Sequence, residues 1–324
     1  MASSKSKSSK NKHVLNWILA CRMEAEESKR ERMDKNTVNF DMYHMKQDYS
    51  HKMDGQSREV LSKQALAVEQ ISSFFQQALV DIYEWWRVDP TNKLKEQLMV
   101  MKPAEIFAIT DNQLTKANVY SHVGQGVKSG LLGALIISKV HGTLVNKPKF
   151  EVKKKGKGKN QSKRVVKKED KAWQLKLDLV RQRNYYPDPN GDGLYEIEDM
   201  WMDFHDIKAL SVGPDAIYDS EVVNSLSRSM SNDAEDEQRK HNETDQTSNP
   251  THTHRSRVKL TEYWGTILDD KGEIMFENCV ATIANDTHII RSPEPNPNWH
   301  QKSPYVVGAL IEVPYAVWPK AMMD

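Results

Sequence analysis

Along residues 57–88 the apolar positions Val68, Ile71, Phe75, Leu79, Ile82 and Trp86 recur at steps of three and four. That spacing lines one face of an α-helix. Ser57 is placed to cap it, and Asp89-Pro90 ends it, because proline bars its predecessor from helical backbone. The aromatics Phe74, Phe75, Tyr83, Trp85 and Trp86 at this spacing read as core. Pro103 opens another helix, and Thr110-Asp111 a third running through Lys116 and Val123, until Gly124, Gly126, Gly130 and Gly133 interrupt it. Small residues there let a helix and a strand pack closely.

The period then changes. Residues 135–145 read as a strand, and Trp173, Leu175, Leu177 and Leu179 alternate with Gln174, Lys176 and Asp178, a half-buried strand. Between them runs Lys153-Lys154-Lys155-Gly156-Lys157-Gly158-Lys159, the tip of a long hairpin. A short helix starts at Ser220 and carries Val222, Val223 and Leu226. Over 228–257 the apolar side chains besides Pro250 are Met230 and Ala234, so this stretch has no face to bury. Residues 258–268, 273–283 and 287–291, separated by Asp269-Asp270-Lys271-Gly272 and Asn285-Asp286, form a three-stranded meander, and Tyr305-Val306-Val307 resumes a strand. The expected fold is α+β: a helical and mixed region with a long basic hairpin, then a small antiparallel β block. The expected units are a polar, mobile arm at 1–56, within which 14–21 and the charge-dense 24–32 are able to form a helix, an α+β domain at 57–227 with the hairpin loop at 147–171, a polar linker or exposed stem at 228–257, and the β-rich block at 258–324.

Charge sharpens this picture. The chain has 324 residues and a net charge of only +1, yet residues 147–171 hold twelve Lys or Arg against Glu151, Glu169 and Asp170, and the first twelve residues add four lysines. These two stretches sum to +13 and the remainder to −12, a basic appendage on an acidic body. The mean hydropathy of −0.72 fits long polar stretches. The most apolar window, 127–140, is too short for a bilayer and carries Lys128 and Lys139, and 14–21 is too short for a signal peptide, so no membrane partner is expected. Cys21 and Cys279 alone exclude a disulfide framework and a four-cysteine zinc site.

Four chemical motifs can be weighed. Gly126-Val127-Lys128-Ser129 ends in the Lys-Ser pair of a phosphate loop, but Val127 and His122 stand where that loop needs glycine, so no nucleotide cofactor is expected. Asp188, Asn190, Asp192 and Asp199, with Gly193 at the sixth position, match the spacing of a calcium loop. The twelfth residue is not Glu and Pro187 precludes an entering helix, so a proline-glycine turn is the competing reading. Glu196, Glu198, Asp199, Asp203, His205 and Asp206 resemble a nuclease cluster, but they alternate with apolar residues along one strand-to-helix segment, as a solvated face would. His252-Thr253-His254 has no further ligand nearby. No catalytic residue and no cofactor is expected.

An ordered series of segments resembles the portal, or head-to-tail connector, proteins of short-tailed double-stranded DNA phages. Leu131-Leu132-Gly133-Ala134-Leu135-Ile136-Ile137-Ser138-Lys139-Val140 is similar to the family's helix-to-strand passage. Leu177-Asp178-Leu179-Val180 with Tyr185-Tyr186-Pro187-Asp188-Pro189, then Met200-Trp201-Met202-Asp203-Phe204, are similar to its strand, Asp-Pro turn and next helix start. Val280-Ala281-Thr282-Ile283-Ala284-Asn285, Ile289-Ile290-Arg291, Asn296-Pro297-Asn298-Trp299 and Ser303-Pro304-Tyr305-Val306-Val307 complete the order. The resemblance covers about residues 60–324, the N-terminal wing-to-clip portion; family members continue with a second stem helix and a channel loop that are not in this sequence.

The resemblance implies a virion protein assembled in the host cytoplasm as a twelve-fold ring of itself around a DNA channel, meeting the packaging terminase, the major capsid and scaffolding proteins, and tail adaptors. It places motor and tail docking on the β block, at Tyr263, Trp264, Lys271 and Trp299. Contact with DNA phosphate or a partner falls to Lys153, Lys154, Lys155, Lys157, Lys159, Lys163, Arg164, Lys167 and Lys168. A monomeric, sequence-unspecific nucleic-acid-binding module and a metal-dependent nuclease are the alternatives.

Overall fold

A long antiparallel meander needs cover on both faces once its alternate residues are large and apolar on each side. Around residues 258–283 that is the case: Tyr263 and Trp264, consecutive and therefore on opposite faces, are both buried. The computed structural model describes residues 2–46, 63–80, 103–155, 162–213, 216–226, 257–314, 316–322 and 324. In chain order its elements are α1 (Ala2–Tyr43), α2 (Lys63–Val80), α3 (Pro103–Lys116), α4 (Val119–Gly133), β1 (Leu135–Lys155), β2 (Ser162–Leu179), β3 (Tyr185–Pro187) and β4 (Tyr195–Asp203). Then follow α5 (Phe204–Ala209), α6 (Ser220–Ser225), β5 (Arg257–Leu268), β6 (Ile274–Ala284), β7 (His288–Pro295) and β8 (Tyr305–Ala309). Helices and antiparallel sheets coexist as an α+β fold.

The strands form a five-stranded sheet, β3-β4-β5-β6-β7, and a three-stranded sheet, β2-β1-β8, all pairs antiparallel. The expected boundary between a central domain and a β block does not exist, because β4 pairs with β5 from Tyr195↔Gly265 to Asp203↔Arg257. The meander gains its missing strands from residues before the polar stretch, and so its edge is closed by the rest of the chain.

One face of the five-stranded sheet, with Ile197, Tyr263, Cys279, Ala281 and Ile283, packs under α1. The opposite face presents Tyr185, Trp264 and Val280 to Leu135 and Ile137 of β1 and Tyr305 of β8. Toward the other end of the sheet, Ile207 of α5 and Val223 of α6 cover Val258, Leu260 and Ile290. The short α6 is capped by Asp219, whose carboxylate accepts from the N–H groups of Glu221 and Val222.

The helix expected within the arm at 14–21 and 24–32 forms, but it runs from Ala2 to Tyr43 and, instead of a mobile appendage, is the element that covers the sheet. Val14, Ile18, Cys21 and Ala25 form a buried stripe at steps of three and four, and the stripe continues through Lys29, Arg32, Asn36 and Asn39, all buried. Its second half is polar yet core-facing, so mean polarity concealed an amphipathic helix. Two further corrections concern the helices. Phe74 and Phe75, read as core, are exposed on α2, where Val68 and Ser72 are the buried positions. The helix read as broken by glycines runs unbroken from Val119 to Gly133, starting after Asn118 in left-handed backbone (φ 54°). Its glycines are contact points: a Cβ on Gly130 would stand 2.9 Å from Ile136. Ser57, Ile82, Tyr83, Trp85, Trp86 and the polar stretch 228–256 lie outside the described residues.

Candidate functional site

The β1–β2 hairpin is the most distinctive element. β8 pairs only with 135–139 of β1, whereas β1 and β2 stay paired out to Lys155↔Ser162. From residue 140 outward the hairpin is a two-stranded ribbon about 50 Å long at roughly 3.3 Å per residue. Its register sets Lys149 opposite Lys168, Lys153 opposite Arg164 and Lys154 opposite Lys163, with Phe150 opposite Lys167. Like charges directly opposite destabilise a strand pair, and a two-stranded ribbon has little stability to spare. Near its base the ribbon balances itself: Asp178 lies 3.1 Å from Lys176 and 3.5 Å from His141, and Gln113 of α3 accepts from the N–H of Leu175. Burial lowers the His141 pKa, with Asp178 opposing. Lys157 and Lys159 at the tip lie outside the described residues.

The acidic cluster is dispersed, and the solvated face expected for it is not what forms. Glu196 and Glu198 point to one side of β4 and Asp199 to the other. On the first side, Glu198 and Glu262 both contact the Lys139 ammonium of β1, Glu198 at 2.7 Å, and the Tyr305 hydroxyl donates to both, at 2.9 and 3.3 Å. Burial raises the Glu198 pKa against the pull of Lys139. Burial also works against the Lys139 charge, but the two glutamates outweigh it and hold its pKa above the ordinary value. Glu196 accepts from the hydroxyls of Tyr185 and Ser303.

On the α1 side, Asp199 meets Arg22 at 2.8 Å, accepts from Thr261 at 2.7 Å and Tyr186 at 3.1 Å, and lies 3.5 Å from Lys259. Asp203 accepts from Arg257 at 3.2 Å. Among the described residues, the acidic and histidine side chains close enough to share an ion are Asp203, His205 and Asp206, of which the last two are exposed. Of the carboxylates expected at a nuclease centre, Glu196, Glu198 and Asp199 thus serve separate hydrogen-bond and ion-pair networks, while Asp206 stays beside Asp203 and His205 at the far end of β4.

The calcium reading loses its twelfth-position ligand, since Asp199 is engaged by Arg22, Thr261 and Tyr186 on the α1 side. Both carboxylate oxygens of Asp188 accept from its own loop, from the N–H of Asn190 at 2.9 Å and of Leu194 at 3.0 Å, while Asp199 faces α1. With Gly191 and Gly193 in left-handed backbone, the segment is a self-satisfied turn.

Of the expected docking residues, Tyr263 is buried and stacks on Tyr195 within the core, and Trp264 is buried at the floor of a cleft. Lys271 and Trp299 are exposed, Trp299 by 91%. Across the five-stranded sheet, Tyr195, Gly265, Cys279 and Pro295 form one cross-strand line. Beyond it the loops 188–194, 269–273 and 296–304 leave the sheet at a common end. A cleft of about 1010 Å³ opens there, lined by Asp188, Asn190, Trp264, Asn278, Gln301 and Tyr305.

Lys139, Glu262, Arg22, Lys29 and Arg32 escaped the sequence reading. An unbroken three-four stripe through polar residues was the one available signal for the α1 members. Compared with known protein families and with curated proteins, the chain matches none. Among the described residues no helix is long and apolar enough to cross a membrane.

Proposed function

We propose that this chain is a subunit of a portal-like ring, a head-to-tail connector that surrounds double-stranded DNA and touches it through phosphate attraction without reading sequence. The observation that carries this reading is the ribbon, whose register sets cation opposite cation near its tip on an arm that has no third strand among the described residues, while the remainder of the chain is acidic. Such an arm attracts a polyanion, although its own register also sets Lys147 opposite Asp170. A channel for DNA of every sequence needs contacts of this kind, strong in sum and indifferent to base identity.

The ordered resemblance to portal proteins supports the ring, the virion location, and the motor, capsid, scaffolding and tail partners. The dispersal of the acidic residues into separate networks favours a structural role over phosphodiester cleavage. A monomeric nucleic-acid-binding module is the second reading, since the ribbon by itself would serve it equally. Mass photometry and negative-stain microscopy of the purified chain separate the two: closed rings are expected, and a monomer that retains DNA affinity establishes the second reading instead.

A further inference from the structure

Trp299 is 91% exposed, yet the turn that presents it is tightly held. The buried Asn296 donates to the Asn278 side chain at 3.1 Å and the Lys302 carbonyl at 3.1 Å, and accepts from the N–H of Asn298 at 2.9 Å. Asn278 in turn donates to the Gln301 carbonyl at 2.8 Å. An indole on a rigid turn loses little freedom when covered, and tryptophan is prominent among residues that carry binding energy. At the same sheet end the acids Asp192, Asp269, Asp270, Glu273 and Glu277 stand against Lys271 and Lys302 of the loops and Lys10 and Lys12, which precede His13 on α1.

A complementary hollow lies elsewhere on the chain. Met33 and Phe40 of α1, Leu132 of α4 and Leu179 at the end of β2 line a cavity of about 370 Å³, with Arg181 and Arg183 exposed at its lining. Its buried polar residues Asn36 and Gln182 already bond each other at 2.9 Å, so the hollow demands no polar ligand. The volume is at the small end of the roughly 300–1,000 Å³ of ligand-sized pockets, fit for one large side chain rather than a segment. Neither arginine has a carboxylate partner among the described residues, whereas Lys128 on the same lining is matched by Glu69 at 2.8 Å.

Knob and hollow lie at opposite ends of α1. His13 pairs with Asp270 and contacts the Leu268 carbonyl at the turn end. Met33 and Phe40 come about 30–40 Å further along the helix at roughly 1.5 Å per residue.

We propose that Trp299 on one copy of this chain enters the Met33–Leu132 hollow of a second copy, with the acids of the neighbouring 269–273 turn meeting Arg181 and Arg183. The proposal rests on the ring reading and assigns Trp299 to a neighbouring subunit instead of to a motor or tail protein. The contact is head-to-tail, so each copy keeps a free knob and a free hollow, and repetition closes a ring where the rotation permits.

The test uses the full chain, with two variants at exposed sites, Trp299→Ala and Arg181→Glu/Arg183→Glu, in sedimentation and mass photometry. Each variant alone is expected to lose assembly at least tenfold in concentration. Their mixture is expected to stop at one-to-one dimers, because one variant retains the hollow and the other the knob. Adding Asp270→Lys/Glu273→Lys to the arginine variant is expected to restore assembly. Rings formed equally by wild type and both variants would overturn this contact and leave the ring reading standing. A wild type that stays monomeric at every concentration would overturn both. Loss of binding to a tail or motor protein by Trp299→Ala, with self-assembly intact, would also overturn it.

Discussion

Arg32 of α1 grips both carboxylate oxygens of Asp324, a residue 292 positions away in the chain, with Nη2 2.7 Å from Oδ1 and Nη1 on Oδ2. Asn39 and the N–H of Ala321 bind the same carboxylate, at 3.2 and 3.0 Å. The segment that follows β8 is thereby strapped to α1 and α4, with Ala321 buried and the N–H of Met322 donating to the Leu131 carbonyl.

The Arg32 hydrogen bond holds the Asp324 carboxyl down at about 2. A depressed carboxylate pKa contributes stability that is full above the unfolded value near 4 and is lost as pH falls toward the folded one. Asp324→Asn is expected to lower stability by about 1–2 kcal/mol at neutral pH, as for other charge-assisted hydrogen bonds. Urea unfolding at a series of pH values checks this: the gap between wild type and variant should narrow below about pH 4 and close as pH falls through about 2.

Lys29 has the opposite linkage. Its ammonium is buried, donating to the carbonyls of Arg183 at 2.5 Å and Tyr185 at 3.0 Å, and sits 3.2 Å from the Tyr186 ring centroid. Burial pushes its pKa down to about 7, against the attraction of Asp199. Between 7 and the ordinary value near 10.5 the unfolded chain binds more protons, so stability rises with pH across that window. Lys29→Met is expected to flatten the rise, read as the shift in denaturation midpoint between pH 7 and 9.5.

Lys139 keeps two buried glutamates apart in charge though adjacent in space. Lys139→Met strands both, and a loss of about 3–5 kcal/mol is expected, the usual penalty for breaking a buried pair. Adding Glu198→Gln and Glu262→Gln should recover part of it. Thermal denaturation of the single and triple variants decides; equal stability of wild type and Lys139→Met would mean that the network contributes nothing.

The ribbon prediction concerns salt. Each phosphate contact contributes roughly 0.9 to the slope of log affinity against log salt on duplex DNA. Replacing Lys153, Lys154, Lys163 and Arg164 by alanine is expected to flatten that slope by about 3–4, for duplexes of any sequence. Filter binding from low to moderate salt is the measurement, and an unchanged slope would move DNA contact away from the ribbon.

Much of the β structure was legible locally. The hairpin, the meander with turns at 269–272 and 285–286, and the resumed strand at Tyr305 all follow from alternation and turn residues, which act between near neighbours. Tyr263 and Trp264 stand among the expected docking residues only through the portal resemblance; as consecutive strand residues they point to opposite faces, and here both faces are covered. α1 was misread because its stripe changes from Val14, Ile18, Cys21 and Ala25 to Lys29, Arg32, Asn36 and Asn39, and average polarity registers that change as solvent exposure.

By itself the chain determined where charge is concentrated and which segments alternate, because both are properties of consecutive residues. Only the tertiary structure decided that α1 is a lid on the five-stranded sheet, that β4 completes the meander, and that Glu198 and Asp199 serve different networks. The physical reason is distance along the chain: a buried charge is tolerated only beside its partner, and Lys139 with Glu262, or Arg32 with Asp324, become neighbours only once the sheets and helices have packed.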